Sequence, residues 1–147
     1  FLKQKNIKFK LTLAGRNPNS NLINNCELHE EVELIPNPEN MNQIIDNSFI
    51  SLVPIFTGSG QQYKAVESLS RGIPIIISTK AAEALSLKDR VNCFVANNVE
   101  EYFKCIITLM NSYEKYQEIS RNGLNFINKE FSWKSKVDNL IKNVYKI

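Results

Sequence analysis

The chain is poor in the residues that build metal and redox centres. It has one histidine, His29, and three cysteines, Cys26, Cys93 and Cys105. The cysteines are odd in number and form no C-x-x-C pair, so neither a disulfide framework nor a zinc site is expected, and a reducing compartment is. No apolar run approaches the length of a membrane span, and no signal-peptide pattern is visible. The net charge of +3, from 18 basic and 15 acidic side chains, falls far short of the basic footprint of a nucleic-acid binder. It is compatible with an anionic ligand or a lipid surface. The sequence has no internal repeat and no low-complexity linker. It opens on Phe1 rather than Met, which leads us to expect a piece of a longer protein.

Two phosphate motifs are also missing. No G-x-x-x-x-G-K-[ST] loop occurs. A dinucleotide G-x-G-x-x-G would need glycine where Tyr63 stands, and its acidic partner would fall near Glu83, past the next strand instead of at its tip. Paired carboxylates of the hydrolase kind are unsupported. Glu30 and Glu31 are adjacent and would point to opposite faces of a strand, and Glu100 and Glu101 read as a solvated helix start. His29, before the second strand, reads as a loop residue.

What the 147 residues do contain suits one domain with a real core. "KFKLTLAG" (8–15), "EEVELIP" (30–36), "SFISLVPI" (48–55), "IPIIIS" (73–78) and, more weakly, "NCFVA" (92–96) read as strands. The third and fourth are nearly continuous apolar runs, the mark of parallel strands buried on both faces. Helical patterns lie between them, at 38–48 and 61–71, the latter stopped by Gly72 with Pro74 beyond. In 99–110, Val99, Tyr102, Phe103, Ile106, Ile107 and Met110 fall on one face. Residues 113–130 are helical, and Ser132 can cap a last helix lined by Trp133, Val137, Leu140, Ile141, Val144 and Tyr145. Strand and helix alternate, then helices close the chain. The expected fold is α/β: a Rossmann-like, doubly wound parallel sheet with helices on both faces and C-terminal helices, as a single domain over 1–147.

In such sheets ligands bind beyond the carboxyl ends of the strands. Gly58-Ser59-Gly60 lies just past the third strand and opens the 61–71 helix. Unpaired N–H groups at a helix start suit a phosphate, and glycines let it approach. Lys64 can add a full charge, and Glu67 is spaced to accept hydrogen bonds from sugar hydroxyls. The plainer reading is a glycine-rich turn, an exposed lysine and a solvated glutamate.

The larger frame favours the ligand site. "GSGQQYKAVESLSRGIPIIIST" (58–79) resembles the donor-binding core of the retaining glycosyltransferases of family 4, which have the GT-B fold. Their pattern, G-x-G-x-x-x-K-x-x-E-A-x-A-x-G-x-P-V-V after a strand ending in proline, is matched by Pro54, Gly58, Gly60, Lys64, Glu67, Gly72 and Pro74. "LTLAGRNP", "EVELIPNPENMNQII", "AAEAL" (81–85), "NCFVANNVEEYFKCIITLM" and "FSW" resemble further family segments, so the likeness covers nearly the whole chain.

The resemblance implies the second domain of a GT-B fold, lacking its first strand. It implies that amides around Gly58, Ser59 and Gly60 face a donor diphosphate and sugar, and that Glu67 binds the ribose. Gly15 and Arg16 would lie near base and ribose, Ile35 would meet the nucleobase, and Lys64 would reach phosphate or lie on the helix surface. No catalytic residue and no metal or cofactor is assigned to the chain. The implied substrate is a nucleoside-diphosphate sugar. The acceptor, a glycan or lipid-linked glycan, would be met through an absent N-terminal domain, without which the chain would be inactive. Bacterial surface polysaccharide is the implied product class, and the cytoplasm, including the inner face of the membrane, the implied place. One position departs from the pattern. Many members carry E-x7-E, and the first of those glutamates is Ser59 here. This motivates the alternative of a non-catalytic subunit that binds a partner transferase or a glycan. A sugar-nucleotide epimerase of the same shape is a third reading.

Overall fold

Three consecutive isoleucines make the centre of the sheet in a computed structural model, which describes residues 2–57 and 62–131. Ile75, Ile76 and Ile77 are fully buried and form a strand whose side chains alternate between faces. Ile75 and Ile77 join one apolar cluster, while Ile76 joins the other. A strand apolar on both sides must be covered on both sides, and this one is.

The chain divides into two compact units, Phe1–Asn47 and Ser48–Ile147. In the first, a short 3-10 turn (Lys3–Lys5) precedes β1 (Leu11–Gly15), α1 (Ser20–Glu27), β2 (Val32–Pro36) and α2 (Met41–Asp46). β1 and β2 are parallel, with Leu11 opposite Val32 and Gly15 opposite Pro36. α1 makes the crossover and packs on β2.

In the second unit, β3 (Ser51–Val53), β4 (Ile75–Ile77) and β5 (Phe94–Val95) form a parallel sheet in that order. α3 (Tyr63–Ser70), α4 (Thr79–Ala84), α5 (Val99–Asn111) and α6 (Tyr113–Glu130) follow the strands. α3 buries Ala65 and Leu69 with Ile75 and Ile77 on one face, and α5 buries Cys105 and Leu109 with Ile76 and Phe94 on the other. α6 serves both clusters, through Ile127 in the first and Ile119 in the second. Burying each such isoleucine or leucine is worth about 1.5–3 kcal/mol.

The architecture is therefore the expected α/β arrangement of parallel strands flanked by helices. The elements differ in extent. Every strand is shorter than its apolar run, because only the central residues have ladder partners. α1 lies in a polar stretch that sequence reasoning left unassigned, and α4 covers most of the "AAEAL" segment, which was likewise not assigned to a helix. β2 begins at Val32, so Glu30 and Glu31 precede it rather than alternating along it. The helix expected after Ser132, with Trp133, lies outside the described residues.

Candidate functional site

Because β3, β4 and β5 are parallel, their carboxyl ends share one edge of the sheet, and hydrogen bonds lock the chain where it leaves each strand. The buried Ser78, just after β4, donates its N–H to the Val53 carbonyl at 3.2 Å and its hydroxyl to the Ile55 carbonyl. After β5, Asn97 accepts the Thr79 N–H at 3.0 Å and donates its side-chain N–H to the Thr79 hydroxyl at 2.9 Å. Asn98 accepts the Glu101 N–H at 2.9 Å, and Glu101 accepts the Asn97 N–H and the Asn98 side-chain N–H at 2.7 and 2.8 Å. This is a reciprocal cap at the start of α5, a relative of the capping box in which the Glu101 carboxylate takes the N–H of Asn97 rather than of the N-cap Asn98. The Glu101 carboxylate is occupied by it.

α3 follows the loop that leaves β3. Its buried side carries Ala65, Ser68 and Leu69. The Ser68 hydroxyl meets the Ser51 hydroxyl at 2.9 Å, which ties the helix to β3. Lys64 and Glu67 are both exposed, three residues apart and thus on neighbouring positions of the outer face. The helix starts at Tyr63, so Glu67 stands one turn inside it, nearer its positive end than the sequence spacing from Gly60 suggests. α1, α2, α5 and α6 have side-chain caps, from Asn19, Asn40, Asn98 and Ser112. The N-cap residues of α3 and α4, Gln62 and Ser78, make no side-chain cap bond, and the Ala65 N–H donates to the Gln62 carbonyl. Gly58, Ser59 and Gly60 lie outside the described residues.

The first unit has its own carboxyl edge. Gly15 ends β1 opposite Pro36, and Ala14 lies opposite Ile35, so Gly15, the exposed Arg16 and the half-buried Ile35 are brought together. A Cβ added to Gly15 would meet nothing within 4 Å. Two residues that the sequence reading did not single out join the loops there. The Asn37 N–H donates to the Gly15 carbonyl at 2.7 Å, and the Asn17 N–H donates to Oδ1 of Asn37 at 3.1 Å. Both asparagines have φ of 49°, a left-handed conformation that asparagine adopts more readily than most residues. The signal available for them was the repeated Asn-Pro of "GRNP" and "IPNP", a turn marker.

The remaining candidates have ordinary roles. His29 is exposed in the turn between α1 and β2. Glu31 pairs with Lys3 at 2.7 Å, and that hydrogen bond holds its carboxyl below the usual range. Among the described residues no group of three His, Cys, Asp or Glu could hold a metal ion, and no helix is long and apolar enough to cross a membrane.

Residues 1–112 match the family described as Glycosyl transferases group 1. No curated protein matches the chain. Solved structures do. Anabaena Alr3699/HepE in complex with UDP superposes with a TM-score of 0.77 at 14% identity, covering 95% of this chain and 41% of that one. A glycosyltransferase from Rickettsia africae gives 0.77 at 14% identity, over 98% of this chain and 42% of that one. The C-terminal domain of LpcC, a glycosyl transferase group 1 family protein from Francisella tularensis, gives 0.66 at 12% identity, over 89% of this chain and 91% of that one. The chain thus spans about two-fifths of the length of the first two and nearly all of an isolated C-terminal domain.

Proposed function

The chain belongs to the group 1 glycosyl transferases and has the fold of a GT-B C-terminal domain, and from that premise we propose that it is the donor-binding part of a sugar transferase. The full-length enzyme transfers a hexose from a nucleoside diphosphate to an acceptor hydroxyl with retention, in the synthesis of a bacterial surface glycan. It works in the cytoplasm, where nucleotide sugars are available. Its acceptor binds outside this chain.

The observation that carries the proposal is the start of α3. This helix comes after β3 of a parallel sheet, follows Gly58-Ser59-Gly60 in the sequence, and presents Lys64 and Glu67 outward within its first two turns. As the bond from the sugar to the diphosphate breaks, negative charge gathers on the leaving phosphate. Amides and a lysine held in place before the reaction stabilise that charge without reorganising. On this reading the loop amides and Lys64 take the diphosphate, and Glu67 accepts hydrogen bonds from the ribose hydroxyls. Gly15 and Arg16 lie at base and ribose, Ile35 meets the base, and residues 1–147 act as one nucleotide-sugar-binding domain. The reading assigns no metal or cofactor. The UDP held by HepE and the UDP-glucose in a second structure of that protein support a nucleoside-diphosphate ligand here.

Ser59, in place of the family's first glutamate, favours a second reading: a non-catalytic subunit that binds a partner transferase or a glycan. Calorimetric titration of the full-length protein with UDP, GDP and ADP separates the two. The donor-binding reading expects one nucleotide to bind, and expects Glu67→Ala to weaken it about 10- to 100-fold, the value of hydrogen bonds to a charged acceptor. Binding of no nucleotide would favour the non-catalytic subunit.

A further inference from the structure

The two asparagines at the carboxyl edge of β1 and β2 form a joint that none of the roles above uses. Asn37 reaches both the last residue of β1 and the loop that follows it. Its backbone N–H donates to the Gly15 carbonyl, and its side-chain Oδ1 accepts the Asn17 N–H. Because a backbone N–H can only donate, the atom facing Asn17 must be the amide oxygen, and the orientation of the side chain is fixed by chemistry. Asn17 and Asn37 both take the left-handed conformation, so both loops turn sharply where they leave their strands. Neither residue is buried. An exposed residue that extends the strand ladder by one bond and ties two loops by another contributes little to a core. Its effect is to fix one loop against the other, and the fixed segment is Gly15-Arg16-Asn17.

We propose that Asn37 is a positioning residue for the nucleoside end of the donor. It holds the Gly15–Asn17 turn in the shape against which base and ribose dock. The inference rests on the donor-binding reading above, and adds to it a residue that touches the protein rather than the ligand. Open space next to Gly15 is consistent with it, since among the described residues nothing beyond the chain neighbours lies within 4 Å of where its Cβ would be. A turn held in its bound shape before the ligand arrives spares the ordering cost that a loose loop would add to binding.

The proposal distinguishes three side chains. Asn37→Gly keeps the left-handed backbone and removes the acceptor. Asn37→Asp keeps an acceptor for the Asn17 N–H in a residue that also tolerates the left-handed region. The test uses the full-length protein, titrated calorimetrically with UDP, GDP, CDP and ADP, with thermal melts and amide exchange at Asn17. The expected result is that Asn37→Gly weakens the preferred nucleotide about tenfold, while its melting temperature stays near wild type. The Asn17 amide should exchange faster in Asn37→Gly, and Asn37→Asp should restore both affinity and protection. Three results would overturn the inference alone: wild-type affinity in Asn37→Gly, an Asn37→Asp variant as weak as the glycine one, or a loss of affinity matched by a loss of thermal stability. Failure of the wild-type protein to bind any of the four nucleotides would overturn the donor-binding reading and this inference together.

Discussion

Two glycines show how a single position can serve packing or leave room for a ligand. At Gly123, on α6, an added Cβ would come within 2.5 Å of Leu69 Cδ2 and 3.2 Å of the Asn92 carbonyl oxygen. Leu69 is fully buried and has no room to retreat, and the carbonyl belongs to the backbone. Gly123 therefore lets α6 approach α3. Alanine would gain about 1 kcal/mol of helix propensity there, but overpacking a rigid core costs about 1–3 kcal/mol. At Gly15 the same test finds nothing within 4 Å, and its φ is not positive. We expect Gly123→Ala to lower the midpoint of thermal unfolding and Gly15→Ala to leave it unchanged. Gly15→Ala should instead weaken nucleotide binding, if a ligand fills the space that the added methyl group would take. Equal melting temperatures for both variants would sink the packing argument.

Helix ends carry the same contrast at the scale of the element. α3 and α4 finish alike. After α3, the Gly72 N–H donates to the Leu69 carbonyl and the Ile73 N–H to the Ser68 carbonyl, with Gly72 at φ of 71°. After α4, the Ser86 N–H donates to the Glu83 carbonyl and the Leu87 N–H to the Ala82 carbonyl, with Ser86 at φ of 57°. Both are Schellman ends, in which the left-handed position suits glycine. Serine there is strained by about 1–2 kcal/mol, partly offset by the greater freedom of glycine in the unfolded chain. Ser86→Gly should thus stabilise the protein by about 1 kcal/mol, read as a rise in the urea midpoint at constant slope. The comparison also shows what the sequence made visible. Gly72 announced the end of α3, and the apolar face of 99–110 announced α5. The end of α4 carries no glycine and its six residues have no large apolar side chain, so no helix was read there. α1, "SNLINNCE", has too few apolar residues for a stripe. It exists as the crossover between two parallel strands, a demand of topology that local pattern does not contain. The positions of the candidate residues in the fold were legible in the same uneven way. Gly15, Ile35, Lys64 and Glu67 stand where strand ends and the α3 surface were expected to put them, whereas Asn37 acts through a hydrogen bond to a loop 20 residues away. Spacing along the chain does not reveal such a bond.

For the molecule as a whole, buried thiols and half-buried phenols of the second unit make stability fall in alkali. Burial, helped by the Asp89 carboxylate, pushes the Cys93 thiol up to about 12. The thiol also faces the Lys88 carbonyl at 3.6 Å, which favours its protonated form. Burial likewise raises the Tyr102 phenol to about 12, and the phenols and thiols of Tyr116 and Cys105 move the same way. Each group keeps its proton in the folded state at a pH where the unfolded chain has lost it. For Cys93 the contribution is complete below about pH 9, the ordinary thiol range, and is lost as pH rises towards 12. One fully buried group of this kind gives a slope of about 1.4 kcal/mol per pH unit. Cys93→Ala removes one such group. It also leaves a small cavity, but that penalty is the same at every pH and does not enter the slope. The fall in unfolding free energy between pH 9.5 and 11 should be shallower in the variant by about 1 kcal/mol per pH unit. Urea titrations at four pH values in that range would measure it, and parallel curves for wild type and variant would mean that the thiol is not held protonated by the core around β5.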